Sequence, residues 1–260
     1  MAFTPKTWYD APNPLTPLSA AALNDLESRI AAAAGSISTI DGAPAVCVTN
    51  SADQNLANTT TVILGFDTEE YDVDNQHYTS TANLTGTVAK TASSTAIVGT
   101  GTTFTSQLSI GQVIDIPGTA TERRVVTAIT DDTHLTVSAN LANTASGQTA
   151  ARVNSALVAR TAGVYNVFGL VRFAANASAN RRQVTIQYTT GTTAMAVRGS
   201  AIAAGVTESL VPTDVPISRA IKLSQWDFVQ LACFQSTGGT IAATGGAFSP
   251  VFGMNRVSAG

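Results

Sequence analysis

The one dense carboxylate cluster of this chain lies in a short segment, FDTEEYDVDN, which carries Asp67, Glu69, Glu70, Asp72 and Asp74. Carboxylate oxygens this close together suit a hard divalent cation such as Ca²⁺, and like-charge crowding would raise the pKa of any that were buried. The spacing differs from that of an EF-hand, and the glycine such a loop needs is missing from the segment. Paired acids of a glycosidase must face each other across a sugar, which is hard to build from carboxylates on one short stretch. Three readings stand for Asp67 to Asp74: a Ca²⁺ site, glycosidase acids, or a solvated acidic loop.

Nucleophilic chemistry has few candidates. His77 and His134 are the only histidines, and neither sits in a Gly-x-Ser-x-Gly or His-Glu-x-x-His setting. His134 alternates with Leu135 and Val137, which turns it toward solvent. GTGTTF lacks the lysine and the strand-to-helix context of a phosphate-binding loop. Cys47 and Cys233 lie far apart without metal-ligand spacing, so they read as buried free thiols or, alternatively, as one disulfide. Trp226 and Phe228 read as core residues or as stacking residues for a glycan. The chain is not expected to be an enzyme, and no catalytic, metal or cofactor-binding residue is assigned.

Charged residues make up 12% of the chain, about half the usual share of roughly 25%. With a net charge of -3, and with Arg123/Arg124 and Arg181/Arg182 as isolated basic pairs, there is no cationic footprint for phosphates. Nucleic acid is therefore not an expected partner. No apolar run approaches the roughly 20 residues of a membrane span, and MAFTPKTWYDAPNP lacks the pattern of a secretory signal. Assembly in a cytoplasm without membrane insertion is the expectation.

The elements that must position these side chains read as follows. Residues 1–18 are rich in proline and carry Phe3, Trp8 and Tyr9, which suits an extended arm docked into a partner protein or a disordered leader. Residues 19–35 read as a helix, with Ser19 as N-cap and Gly35 as stop. Within it Leu23, Leu26, Ile30 and Ala33 follow a 3, 4, 3 spacing, the seam of a short coiled coil or a face packed on its own domain. From Val46 onward helical periodicity gives way to short runs rich in Val, Ile, Thr and aromatics, including AVCVT, QVIDI, RRVVTAIT, HLTVSA, RQVTIQY and FVQLACFQ. The body is expected to be all-β. Composition shifts near Asn83 and Asn154, so residues 84–153 read as an inserted small β domain, and 36–83 with 154–260 as one discontinuous β-sandwich.

The strand VYNVFGLVRF is the most informative of these. Tyr165, Val167, Val171 and Phe173 line one face, while Val164, Phe168 and Leu170 line the other. One apolar face can fill a domain core. The other needs a second cover, either a sheet of the same domain or another copy of the chain.

Three stretches carry a resemblance. TTVILGFDTEEYDVDNQHYTST with SALVARTAGVYNVFGLVRF, LSQWDFVQLACFQSTGG, and FSPVFGMNRV resemble the opening, the Leu-x-x-x-Asp-x-Val segment and the closing strand of a C1q/TNF-like jelly roll. Gly163, Tyr165, Val167 and Phe173 match its Gly-x-Tyr strand. TWYDAPNPLTPLSAAALNDLESRI and the inserted GTGTTFTSQLSIGQVIDI and RRVVTAITDDTHLTV are similar to segments of bacteriophage tail-associated proteins, and FDTEEYDVDN to phage versions of the C1q-like head. The resemblance implies a homotrimer packed through Val164, Phe168 and Leu170 and through a Leu23, Leu26, Ile30 stalk. It also implies a virion part, a minor tail protein, tail fibre or receptor-binding protein, that joins other tail proteins through Phe3, Trp8 and Tyr9. Adhesion to a host cell-surface glycan or protein would then be its task. A capsid decoration protein or head fibre, and a depolymerase, are the competing readings.

Overall fold

The computed structural model describes residues 20–41, 43–177, 181–189, 196–203, 211–246 and 250–259. The arm with Phe3, Trp8 and Tyr9, and the proposed cap Ser19, lie outside the described residues. The chain divides into a unit ending at Ala43 and a larger one from Pro44 to Gly260.

The first unit holds α1 (Ala20–Asp41), a helix of 22 residues. It runs past Gly35, which therefore is not its stop, and residues 36–41 are helical rather than loop. A glycine inside a helix costs about 1 kcal/mol relative to alanine, which the preceding Ala-rich turns tolerate. Pro44 ends the helix more firmly, because the residue before a proline is pushed out of helical geometry. Leu26 and Ile30 are 49% and 44% exposed.

The second unit opens with β1 (Ala45–Thr49), β2 (Gln54–Leu56), β3 (Thr61–Ile63) and β4 (Thr68–Asp72). There follow β5 (Thr87–Lys90), β6 (Ala96–Thr100), a one-turn helix α2 (Phe104–Gln107), β7 (Val113–Ile116), β8 (Glu122–Asp131), β9 (His134–Val137), β10 (Ala145–Gln148) and β11 (Ala151–Arg152). The chain closes with β12 (Leu157–Val158), β13 (Gly163–Phe173), β14 (Arg182–Tyr188), β15 (Ala196–Ala203), β16 (Thr213–Leu223), β17 (Phe228–Gln235), β18 (Ile241–Ala243) and β19 (Val251–Ser258).

Two antiparallel sheets form a sandwich. The first runs β16-β13-β19-β1-β4, with β18 and β2 continuing it beyond Phe173, and the second runs β15-β14-β17-β3, with β12 also on β17. Many successive strands of the sandwich, among them β12 to β13, β13 to β14, β15 to β16, β16 to β17 and β17 to β18, cross between the sheets, which is the jelly-roll arrangement. The inward residues of β13, Tyr165, Val167, Val171 and Phe173, are fully buried with Val46, Val48, Phe252 and Met254 on one side of the core. Val184, Ile186, Val229, Leu231 and Cys233 oppose them from the other sheet. Phe66 stacks on Phe252 with ring centroids 5.5 Å apart.

The strands between β4 and β12 make a sheet of their own, in the order β10-β5-β6-β9-β8-β7-β11. Its end strands β10 and β11 are consecutive in the chain, so the sheet curls until its edges come near each other. Val88, Ile97, Phe104, Ile114, Ile116, Val126, Leu135 and Val137 fill the curl. A buried ion triad reinforces it, with Lys90 Nζ 2.9 Å from Glu122 Oε1 and Arg124 Nη2 2.9 Å from Glu122 Oε2.

This sheet is fastened to the sandwich by a third apolar cluster, in which Val113 and Val125 meet Val153, Ala156, Val158 and Phe228, with Trp226 against its edge. Arg160 Nη1 donates to the Ile110 carbonyl at 2.5 Å while its guanidinium lies 5.0 Å from the Trp226 ring centre. Gly111 has φ +94°, and a Cβ there would fall 1.3 Å from Arg160 Nη1, so only glycine lets the two parts close up. Trp226 and Phe228 are thus packing residues at this junction.

Candidate assembly face

β13 sits between β16 and β19, so its outward side chains lie at the middle of the first sheet's outer face. Burial alternates strictly along it, because the pleat sends every second residue into the core. Val164 and Phe168 are half-buried and Leu170 is 37% exposed, and no second layer among the described residues covers them. The register sets Phe168 opposite Ser218 and Gly253, and Leu170 opposite Pro216 and Val251. Beyond Gly253 the same row continues through Cys47 to Tyr71, which is 47% exposed. A Cβ on Gly253 would come within 2.3 Å of Phe168 Cζ, so the phenyl ring leans across the glycine and flattens the patch.

Asn166 interrupts the row between Val164 and Phe168, and Arg172 ends it beyond Leu170. Ser218 Oγ donates to Asn166 Oδ1 at 3.0 Å. Arg172 grips Asp214 with two bonds of 2.7 and 2.6 Å, which hold the Asp214 carboxyl below its ordinary range. Burial raises the Cys47 thiol, with the Glu70 charge adding to the effect, so the sulfur is protonated and packs as a small apolar group. Both cysteines are free, Cys47 half-buried and Cys233 buried. A flat apolar centre with a polar rim is the anatomy of a protein–protein contact.

The acidic segment is a strand, not a loop: Thr68 to Asp72 form β4, paired with β1 at the edge of this sheet. Charged residues are tolerated on an edge strand, where they also deter further strand pairing. Its carboxylates are engaged by the chain itself. Asp67 accepts from Ser51 N at 2.9 Å and Ser51 Oγ at 2.5 Å, bonds that outweigh its desolvation and hold its carboxyl below the usual range. Asp72 accepts the backbone N–H groups of Gln76 and His77, each at 2.9 Å. Glu70 accepts from Thr49 Oγ1 at 3.3 Å. His77 is buried, with Nδ1 3.0 Å from Glu69 Oε1 and Nε2 donating to the Asn154 carbonyl at 2.8 Å. Among the described residues, no group of three or more His, Cys, Asp or Glu side chains is placed to hold a metal ion. His134 is exposed beside Asp131, 3.0 Å away.

Sequence reading placed Val164, Phe168 and Leu170 on one face, and the structure brings them together. It did not find Cys47, Tyr71, Val251 or Gly253, whose membership depends on register with other strands. The outward position of Cys47 in AVCVT was a local signal, since it alternates with Val46 and Val48. On α1, Leu26 and Ile30 are exposed and Leu23 is half-buried.

The fold and this face define a jelly-roll sandwich whose first sheet has an apolar outer patch with no covering layer among the described residues. Among solved structures, the chain is similar to the globular domain of zebrafish complement 1qA protein, at 9% identity and TM-score 0.41, covering 82% of this chain and 97% of that one. It is also similar to murine APRIL at pH 8.0, at 6% identity and TM-score 0.41, covering 82% and 98%. Similarity extends to Eiger TNF from S. frugiperda, at 15% identity and TM-score 0.34, over 40% of this chain and 66% of that chain's length. No protein-family model and no curated protein matches the chain.

Proposed function

We propose that this chain is a non-enzymatic structural protein of a bacteriophage tail that assembles as a homotrimer and projects its β head for adhesion to the host surface. The observation that carries the reading is the outer face of the first sheet, where Phe168 leans over Gly253 and Leu170 is 37% exposed with no covering layer among the described residues. Two further copies around a three-fold axis supply that cover. The exposed Leu26 and Ile30 of α1 support the same assembly, since they continue the heptad seam that a short stalk requires. Phe3, Trp8 and Tyr9 are the residues assigned to attachment on other tail proteins. The engagement of Asp67, Glu69, Glu70 and Asp72 in hydrogen bonds within the chain supports a non-catalytic role.

Native mass measurement of the full chain tests the assembly, with a trimer expected and a stable monomer at micromolar concentration refuting it. Labelling on intact virions tests the placement. Signal at the tail is expected, and signal over the capsid would assign a decoration role instead. Incubation with host surface polysaccharide is expected to release no reducing ends.

A further inference from the structure

The outer face of the second sheet is divided in two. At one end, Phe228 of β17 is buried in the junction cluster, and Gln230 beside it donates to Ser155 Oγ at 2.9 Å, so the inserted sheet covers this part. Further along the same face, Thr61, Arg181, Gln183, Thr185, Gln187 and Phe234 line an open concavity of about 270 Å³. Strand alternation builds it. In RQVTIQY the core takes Val184, Ile186 and Tyr188, so Gln183, Thr185 and Gln187 share the other face at intervals of about 7 Å, the two glutamines half-buried and Thr185 buried between them with its Oγ1 accepting from Gln183 Nε2 at 3.2 Å. β17 sets Phe234 directly opposite Gln183, and β3 sets Thr61 opposite Phe234.

We propose that this concavity binds a saccharide bearing a carboxylate. Two glutamine amides and two threonine hydroxyls both donate and accept, which matches the hydroxyls of a sugar ring. Arg181 is the only charged residue among the described residues of the lining, and none of the ion pairs among the described residues includes it. Its guanidinium lies 5.3 Å from the Phe234 ring centre, a contact that holds the planar fork in place before a ligand arrives. Such a fork recognises a carboxylate through two parallel bonds.

A second cation strengthens the local field. Arg182, next in the chain and turned inward, is fully buried, and its Nε and Nη1 have no hydrogen-bond partner. Its Nη2 donates to the Asn176 carbonyl at 3.2 Å, and none of the ion pairs among the described residues includes it. A purely apolar ligand would strip water from the amides without replacing their bonds. A nucleic acid would need a wider basic surface than this one exposed arginine.

This inference deepens the adhesion reading by naming a ligand class, and it rests on that reading for its biological setting. Isothermal titration calorimetry of the full chain tests it, with sialyllactose and trigalacturonic acid as acidic probes and lactose as the neutral one. At least one acidic probe is expected to bind, with lactose at least tenfold weaker. Arg181→Gln and Phe234→Ala are each expected to weaken the acidic probe at least tenfold while retaining the parent melting temperature and assembly mass. Absence of binding by both acidic probes, equal binding of lactose, or parent-like binding by R181Q overturns the proposal. Attachment to host bacterial cells separates the two readings. If R181Q loses the acidic probe yet adheres like the parent chain, adhesion stands and this concavity is not the adhesion site. If the parent chain binds the probe in an R181Q-sensitive manner but attaches to no cells, the saccharide site stands and adhesion falls.

Discussion

Replacing Lys90 by methionine is the sharpest test of how the inserted sheet is held together. Lys90 Nζ donates to Glu122 Oε1 at 2.9 Å and to the Ile116 carbonyl at 3.2 Å, and both ionic side chains are fully buried. Methionine keeps most of the volume and removes the charge, which leaves Glu122 to Arg124, the Ala142 amide and the Asn143 side chain. Methionine removes a charge-assisted hydrogen bond, worth about 1.5–3 kcal/mol, while Arg124 and the two amides keep the Glu122 charge compensated. For a chain of this size that corresponds to a fall in melting temperature of roughly 3–12 °C. Thermal unfolding followed by circular dichroism measures the loss, and hydrogen exchange is expected to place it in β5, β7 and β8. K90M combined with Glu122→Gln is expected to lose about 3–5 kcal/mol more, since the buried Arg124 guanidinium then has no carboxylate partner. A loss below about 1 kcal/mol in K90M, or a double variant as stable as K90M, refutes the reasoning. The same carboxylate sets a pH dependence. Burial alone would raise the Glu122 pKa, but the Ala142 amide, Lys90 and Arg124 outweigh it and hold the folded value below the reference 4.5. The unfolded chain therefore binds the proton more readily, so this contribution is complete above about pH 4.5 and is lost as pH falls through the folded value.

Three further outcomes are expected. Leu170→Asp places a carboxylate in the apolar patch; in the proposed trimer, like charges about 8 Å apart would repel by about 2 kcal/mol per pair at an effective dielectric of 20, so dissociation to monomer at micromolar concentration is expected in native mass spectra, with the melting behaviour of the protomer kept. Gly111→Ala sets a Cβ against Arg160 in a left-handed backbone and is expected to destabilise by about 2–4 kcal/mol, read as a lower unfolding midpoint in denaturant, while Gly147→Ala, left-handed but in open space, loses less. The exposed Asp131 carboxyl, held by Thr133 and His134, is expected to titrate at about 2 by NMR and to move back toward 3.8 in Thr133→Ala.

Local pattern carried much of this fold because the pleat has a period of two. VYNVFGLVRF declares which side chains share a face, RQVTIQY declares a polar row opposite an apolar one, and the run of such segments declares an all-β sandwich. Breaks in pattern were less legible. Gly35 reads as a stop, yet α1 continues to Asp41, since one glycine is a small penalty against the turns on either side. FDTEEYDVDN reads as a loop because its charges mask a strand whose order comes from pairing with β1.

What no local signal contains is which segments meet. His77 and Asn154 are 77 positions apart, Arg160 reaches back 50 positions to Ile110, and Gln230 meets Ser155 across 75. The assembly patch likewise needs Phe168, Gly253, Cys47 and Tyr71 to fall in one row, which strand register alone decides. Composition and alternation determine the faces each strand offers, because they act between neighbours in the chain. Only the tertiary structure decides which of those faces the chain covers and which it leaves for another molecule, because that depends on the order of strands in the sheets.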